Sequence, residues 1–181
     1  MSSSASSDTR EHAEFEALYQ RHSREVWALA YARHLNSDLA LDIMQETFLR
    51  LWKEQRRGEV IANARAWVLR VARNLAEDHA KSAFRRNGTQ PPQTMNGVPS
   101  KEKLPLERLE HEETFGQIRA ALGQLSPSDR EILTLRYALN YSTGQIADLL
   151  AINATAVHMR LSRARQRVAE GLASREISQN S

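Results

Sequence analysis

Four arginines and no acidic residue lie between Ala154 and Val168. Within that stretch Val157, Leu161, Ala164 and Val168 recur at spacings of 4, 3 and 4, which puts them on one face of a helix. That face is expected to pack on Ile146, Leu149 and Leu150. The opposite side presents Thr155, His158, Met159, Ser162 and Arg163. His158 and Arg163 can donate to base edges or phosphates, and Met159 can touch a thymine methyl. Arg160, Arg165 and Arg167 lie further round and suit phosphates, which position a protein without specifying sequence. A helix that is apolar on one side and cationic on the other fits a DNA major groove.

The residues before it supply the rest of a helix-turn-helix. Ser142 and Gln145 form a capping box for a first helix. Asn153 can cap the second helix, which is expected to run to about Gly171. Upstream, Ser126-Pro127-Ser128-Asp129 combines a cap, a proline at the first helical position and an acid in the first turn. Ile132, Leu133, Leu135 and Tyr137 should line the helix that follows. Phe115, Ile118, Ala121, Leu122 and Leu125 form an apolar stripe before it.

The first half carries two further segments. In Asp38–Trp52, the residues Asp42, Gln45, Glu46 and Leu49 share one side of a helix, while Phe48, Leu51 and Trp52 face a core. An acidic, amide-bearing patch beside an exposed leucine suits docking to a basic partner helix, although an ordinary solvated face has the same spacing. In Ala64–His79, Arg70, Arg73 and Asn74 accompany Trp67. Arginines and an amide beside aromatics suit single-stranded DNA; a core tryptophan with surface arginines would look alike.

The elements that must position these groups are helical throughout. Apolar periodicity predicts helices over Arg10–Asn36, Leu39–Gln55 (capped by Ser37 or Asp38) and Ala64–Phe84 (capped by Asn63). Residues 1–9 are serine-rich and read as disordered. Between 87 and 106, Asn87-Gly88, Pro91-Pro92, Asn96-Gly97, Pro99 and Pro105 read as a flexible linker. The expected fold is all-α: a helical domain over 10–86, the linker over 87–106, and a helix-turn-helix domain over 107–173.

Charge follows the same division. Residues 65–86 hold six cations against Glu77 and Asp78, a balance of +4, and residues 142–168 hold four against Asp148, a balance of +3. Two separated basic segments suggest two contacts with a polyanion. The absence of cysteine excludes disulfides, thiolate zinc sites and cysteine nucleophiles. No apolar run approaches the ~20 residues of a membrane span, and a cytoplasmic protein is expected. His111-Glu112-Glu113 lacks the second histidine of a metalloprotease helix, and Glu77-Asp78-His79 are consecutive and point apart. No cofactor, metal or catalytic activity is expected.

Taken in order, Gln45-Glu46-Thr47-Phe48-Leu49-Arg50-Leu51-Trp52, then Ala64-Arg65-Ala66-Trp67 with Ala72-Arg73-Asn74, a proline-bearing linker, Leu125-Ser126-Pro127 with Arg130-Glu131, and the helix-turn-helix resemble the extracytoplasmic-function sigma factors. The resemblance covers about residues 12–172. It implies that Asp42, Gln45, Glu46 and Leu49 contact core RNA polymerase at the β′ clamp helices, and that the β subunit is a second partner. It places Asn74 near a flipped base of the −10 element, with Arg70, Arg73, Arg85 and Arg86 near the backbone. It makes 141–168 the reader of −35 duplex and allows for an anti-sigma protein as a regulator. The turn reads Leu150-Ala151-Ile152-Asn153 where the family usually has glycine and serine at the second and fourth positions. Alanine in a left-handed conformation costs about 1 kcal/mol, so an altered turn is expected. Gln145 replaces the usual glutamate, and His158-Met159 replaces a basic residue followed by serine. The rival readings are a free-standing helix-turn-helix regulator, which has no need of the Gln45 patch, and a helical anti-sigma-like adaptor.

Overall fold

The computed structural model describes residues 3–87, 120 and 122–179. The chain divides into two compact units, Met1–Met95 and Asn96–Ser181. The linker expected over 87–106 falls almost wholly outside the described residues, as do Phe115, Ile118 and Ala121 of the predicted stripe.

Three helices build the first unit: α1 (Ser3–His34), α2 (Ser37–Arg56) and α3 (Ala64–Asn87), each packed on the other two. Helix α1 begins at Ser3, so the disorder expected for residues 1–9 is not what is found. Once a helix is nucleated, each added residue gains a hydrogen bond at little further cost, and a long amphipathic body carries the serine-rich end with it. Asn36, rather than Ser37 or Asp38, caps α2, its side chain accepting from the Leu39 amide at 2.9 Å. Asn63 caps α3 as expected, accepting from the Ala66 amide at 3.0 Å.

Val26, Leu29 and Ala30 of α1, Ile43, Phe48 and Leu51 of α2, and Val68, Leu69 and Ala72 of α3 are buried together. Full burial of such a side chain is worth about 1.5–3 kcal/mol. Polar ties fix the α1–α3 pairing at both ends. Arg65 donates twice to the Glu25 carboxylate, each bond 2.9 Å, and His34 Nε2 donates to the Ala76 carbonyl at 2.9 Å. Buried Thr47 returns its hydroxyl to the Ile43 carbonyl at 2.7 Å.

The second unit contains α4 (Pro127–Leu133), a π-helical turn (Thr134–Ala138), α5 (Thr143–Leu150) and α6 (Ala154–Gln179). Both α4 and α5 pack on α6. Ser126 accepts from the Asp129 amide at 3.1 Å, with Pro127 at the first position. Arg130 is buried and donates to the Leu125 carbonyl at 2.6 Å and the Leu122 carbonyl at 3.3 Å, closing the loop before α4.

The α4 helix does not continue regularly through Tyr137. It widens into the π turn, where the Leu139 amide reaches back five residues to the Thr134 carbonyl at 2.9 Å. The widening turns Tyr137 outward to 60% exposure, against the inward position expected for it, and brings Leu139 and Tyr141 into the core. Arg136 holds the end of the turn by donating to the Tyr141 carbonyl at 2.9 Å.

Candidate nucleic-acid interface

Reciprocal capping sets the start of α5. Ser142 accepts from the Gln145 amide at 3.2 Å, and Gln145 Oε1 accepts from the Ser142 amide at 2.9 Å. Ile146, Leu149 and Leu150 then bury one side of α5, and Val157, Leu161 and Ala164 bury the facing side of α6. Between the helices Ala151 takes the left-handed conformation, φ 52° and ψ 46°. The alanine therefore bears the strain and the turn keeps the form a glycine would give it, contrary to the altered turn expected. Asn153 begins α6, accepting from the Ala156 amide at 2.7 Å.

This packing turns the other side of α6 to solvent. Thr155, His158, Met159, Ser162 and Arg163 are all exposed, as are Arg160 and Arg165. Arg160, Arg163 and Arg165 have no ion-pair partner among the described residues. Arg167 differs: its guanidinium is ion-paired with Asp129, whose side chain is only 9% exposed. It ties α6 to the start of α4, a role that a separation of 38 residues hides from the sequence. Asp129 reads there only as a first-turn acid.

A second surface lies on α3. Arg70, Asn74 and Arg85 are exposed, and the Asn74 amide has no hydrogen-bond partner among the described residues. Arg73 lies closer in, 3.7 Å from Glu77, which also meets Lys81 at 3.3 Å. The Lys81 hydrogen bond holds the Glu77 carboxyl below the usual carboxylate range, aided by the charges of Lys81, Arg73 and Arg33 and opposed by burial. The side chain of Arg86 lies outside the described residues.

Beside this face is an open cavity of about 370 Å³, within the range of ligand sites. Its walls are Glu54 at the end of α2, the loop Glu59–Asn63, and Ala66, Trp67 and Arg70 of α3. Val60 stands on the loop at 92% exposure. Sequence reasoning found Arg70 and Trp67 but missed the loop, whose contribution depends on α2 and α3 converging around it. Gly58, at φ 79°, supplies the left-handed step that turns the chain into it.

The third surface is on α2. Asp42 and Gln45 are exposed, Leu49 is 45% exposed, and Glu46 is half-buried and bonded to Arg50 at 2.8 Å. The four predicted residues share one face. They border an apolar groove of about 370 Å³ lined by His12, Phe15 and Tyr19 of α1 with Gln45, Phe48, Leu49 and Trp52 of α2. The rings make an edge-on cluster: Phe15–Trp52 at 5.0 Å, Tyr19–Phe48 at 4.8 Å and His12–Trp52 at 5.9 Å between centroids. The share of α1 in this groove was not anticipated; Phe15 and Tyr19 read only as core periodicity.

The pattern described as Sigma-70 region 2 matches residues 18–86, and that described as Sigma-70, region 4 matches residues 115–168. The ECF RNA polymerase sigma factor SigL of Mycobacterium tuberculosis is 36% identical over 152 residues, 80% of this chain and 81% of the relative. The chain belongs to the extracytoplasmic-function RNA polymerase sigma factors. The fold agrees with solved sigma factors. RpoE, in complex with the anti-sigma factor NepR from Bartonella quintana, superposes with a TM-score of 0.68 at 23% identity, covering 88% of this chain and 97% of that one. CnrH, in complex with the cytosolic domain of CnrY, gives 0.63 at 22% identity, covering 90% of each. In this sigma factor the region 2 match contains the α2 face, the cavity and the α3 face. The region 4 match contains the helix-turn-helix. Membership in the family removes the free-standing regulator and the anti-sigma-like adaptor. Among the described residues, no helix is long and apolar enough to cross a membrane, and no cluster of three His, Asp or Glu side chains could hold a metal ion.

Proposed function

We propose that this sigma factor directs core polymerase to promoters by three contacts, and that it catalyses no reaction itself. The face of Asp42, Gln45, Glu46 and Leu49, with the apolar groove beside it, docks the β′ clamp helices. The outer face of α6 reads −35 duplex: Arg160 and Arg165 hold phosphates, while Thr155, His158, Met159, Ser162 and Arg163 reach base edges. The α3 face captures the melted −10 strand, with Asn74 and Arg70 lining the route to the cavity, where Trp67 and Val60 offer apolar surface to a flipped base. Glu54 and Glu59 can accept from exocyclic amino groups there. Arg70 and Arg85 neutralise backbone charge, and Arg73 is largely committed to Glu77.

The β subunit is the partner for the second unit. The groove of Leu122, Leu133, Tyr137 and Val168, about 360 Å³, is the surface available to it. The place of action is the cytoplasm, and an anti-sigma protein competing for the α2 face is the mode of control.

The observation that carries this reading is that Arg160, Arg163 and Arg165 on one unit, and Arg70 and Asn74 on the other, face solvent without partners among the described residues. The test is run-off transcription with purified core polymerase over a broad promoter library. Specific transcripts should depend on the added chain. Asn74→Ala should weaken open-complex formation while leaving upstream duplex contacts in place. Absence of any chain-dependent transcript would refute the reading.

A further inference from the structure

Met159 has no evident duty in the fold. It is two residues from Val157 and from Leu161, hence about 200° round the helix from each. Val157 is 0% and Leu161 6% exposed, whereas Met159 is 50% exposed. It therefore stands opposite the buried line of α6. Its companions on that side are Thr155, His158, Ser162 and Arg163, all of them hydrogen-bonding residues. Thr155, Met159 and Arg163 follow one another at four-residue spacing along a single row.

An apolar, polarizable side chain held in water on a polar face gains by meeting apolar surface. On the floor of a DNA major groove only one base edge offers it, the C5-methyl of thymine. The same row contains no carboxylate to accept from the amino group of cytosine, so no charged acceptor there favours the other pyrimidine.

We infer that Met159 is a specificity-determining residue that reads the 5-methyl group of one thymine in the upstream promoter element. This rests on the proposed duplex-reading role of α6 and adds to it the base that the chain selects. Thr155, one turn before, contributes its own methyl to the same apolar contact. Arg163, one turn after, meets the neighbouring base or phosphate.

The experiment uses holoenzyme assembled from core polymerase and the full chain, on an upstream element recovered by selection from randomised sequence. Each thymine in it is replaced in turn by deoxyuridine, which removes the methyl and leaves every hydrogen-bonding group. At one position the affinity should fall about three- to fivefold, the worth of one buried methyl group. Met159→Ala should bind thymine and uracil equally at that position, and Met159→Leu should keep the preference. An element in which no uracil substitution matters, or a penalty that survives unchanged in Met159→Ala, overturns the assignment; persisting protection of the upstream duplex would then show that α6 still reads DNA by other residues. Loss of all upstream protection would instead refute the duplex-reading role and the assignment together.

Discussion

The α6 face and the α3 face carry similar charge and are built on opposite plans. On α6, Arg160, Arg163 and Arg165 project from a convex helix without a neighbouring acid. On α3, cations alternate with acids: Glu77 engages Arg73 and Lys81, and the free groups border a concavity walled by Glu54, Glu59 and Trp67. Duplex DNA presents a dense phosphate surface, and an unneutralised helix suits it. A melted strand presents base faces and edges, and these need a recess with apolar walls and acceptors more than they need added positive charge. The contrast shows how little net charge says about the form of nucleic acid a surface takes.

The contrast is sharpened most by first removing the dock that both faces depend on. Gln45→Ala combined with Leu49→Ala should cost at least about 2 kcal/mol of core binding, as for truncation of a central interface residue. Both side chains are exposed, so the melting of the chain should not change; unchanged recovery of core in a pull-down would move the dock elsewhere. Next, Arg163→Ala should weaken upstream duplex binding by about 1–3 kcal/mol and leave strand capture alone. Equal losses in both would erase the distinction between the faces.

A subtler division lies within α6. Arg165→Ala should lower the salt slope of DNA binding by about one unit. Arg167→Ala should leave that slope nearly unaltered and lower the thermal stability of the second unit by about 1–2 kcal/mol, because the Asp129 carboxylate, 9% exposed, loses its partner. The exchange of those two outcomes would reverse the assignment.

The smallest effect concerns pH. The folded pKa of Glu77 is depressed, so its stabilising contribution is present above the unfolded carboxylate value and is lost as pH falls through the folded one. Glu77→Gln should flatten the acid side of the stability profile of the first unit slightly, with no change near neutrality. A steeper acid limb in the variant would contradict this.

Local chemistry was legible and convergence was not. The caps at Asn63, Ser126, Ser142 and Asn153, and the buried row of α6, follow from spacing within a few turns, and each is found as read. The cap at Asn36 was misplaced by one residue because three polar side chains in succession can each accept from a first turn. The cavity, the Phe15–Trp52 cluster and the Asp129–Arg167 pair each require two distant segments to meet, and no periodicity reports that. Tyr137 was misjudged for another reason: a 3.6-residue repeat was extended through a turn that winds more loosely.

That looser winding has its own consequence. An extra residue taken up between Thr134 and Ala138 shifts the phase of everything beyond it, and the Arg136 bond to Tyr141 locks the shifted setting. Deleting one residue there would rewind the segment and misaim the two helices downstream by about 100°, an angular error no side-chain repacking could absorb. The aim of the reader relative to its own scaffold is thus encoded in a count of residues, and insertions or deletions in this pentapeptide should be far less tolerable than substitutions.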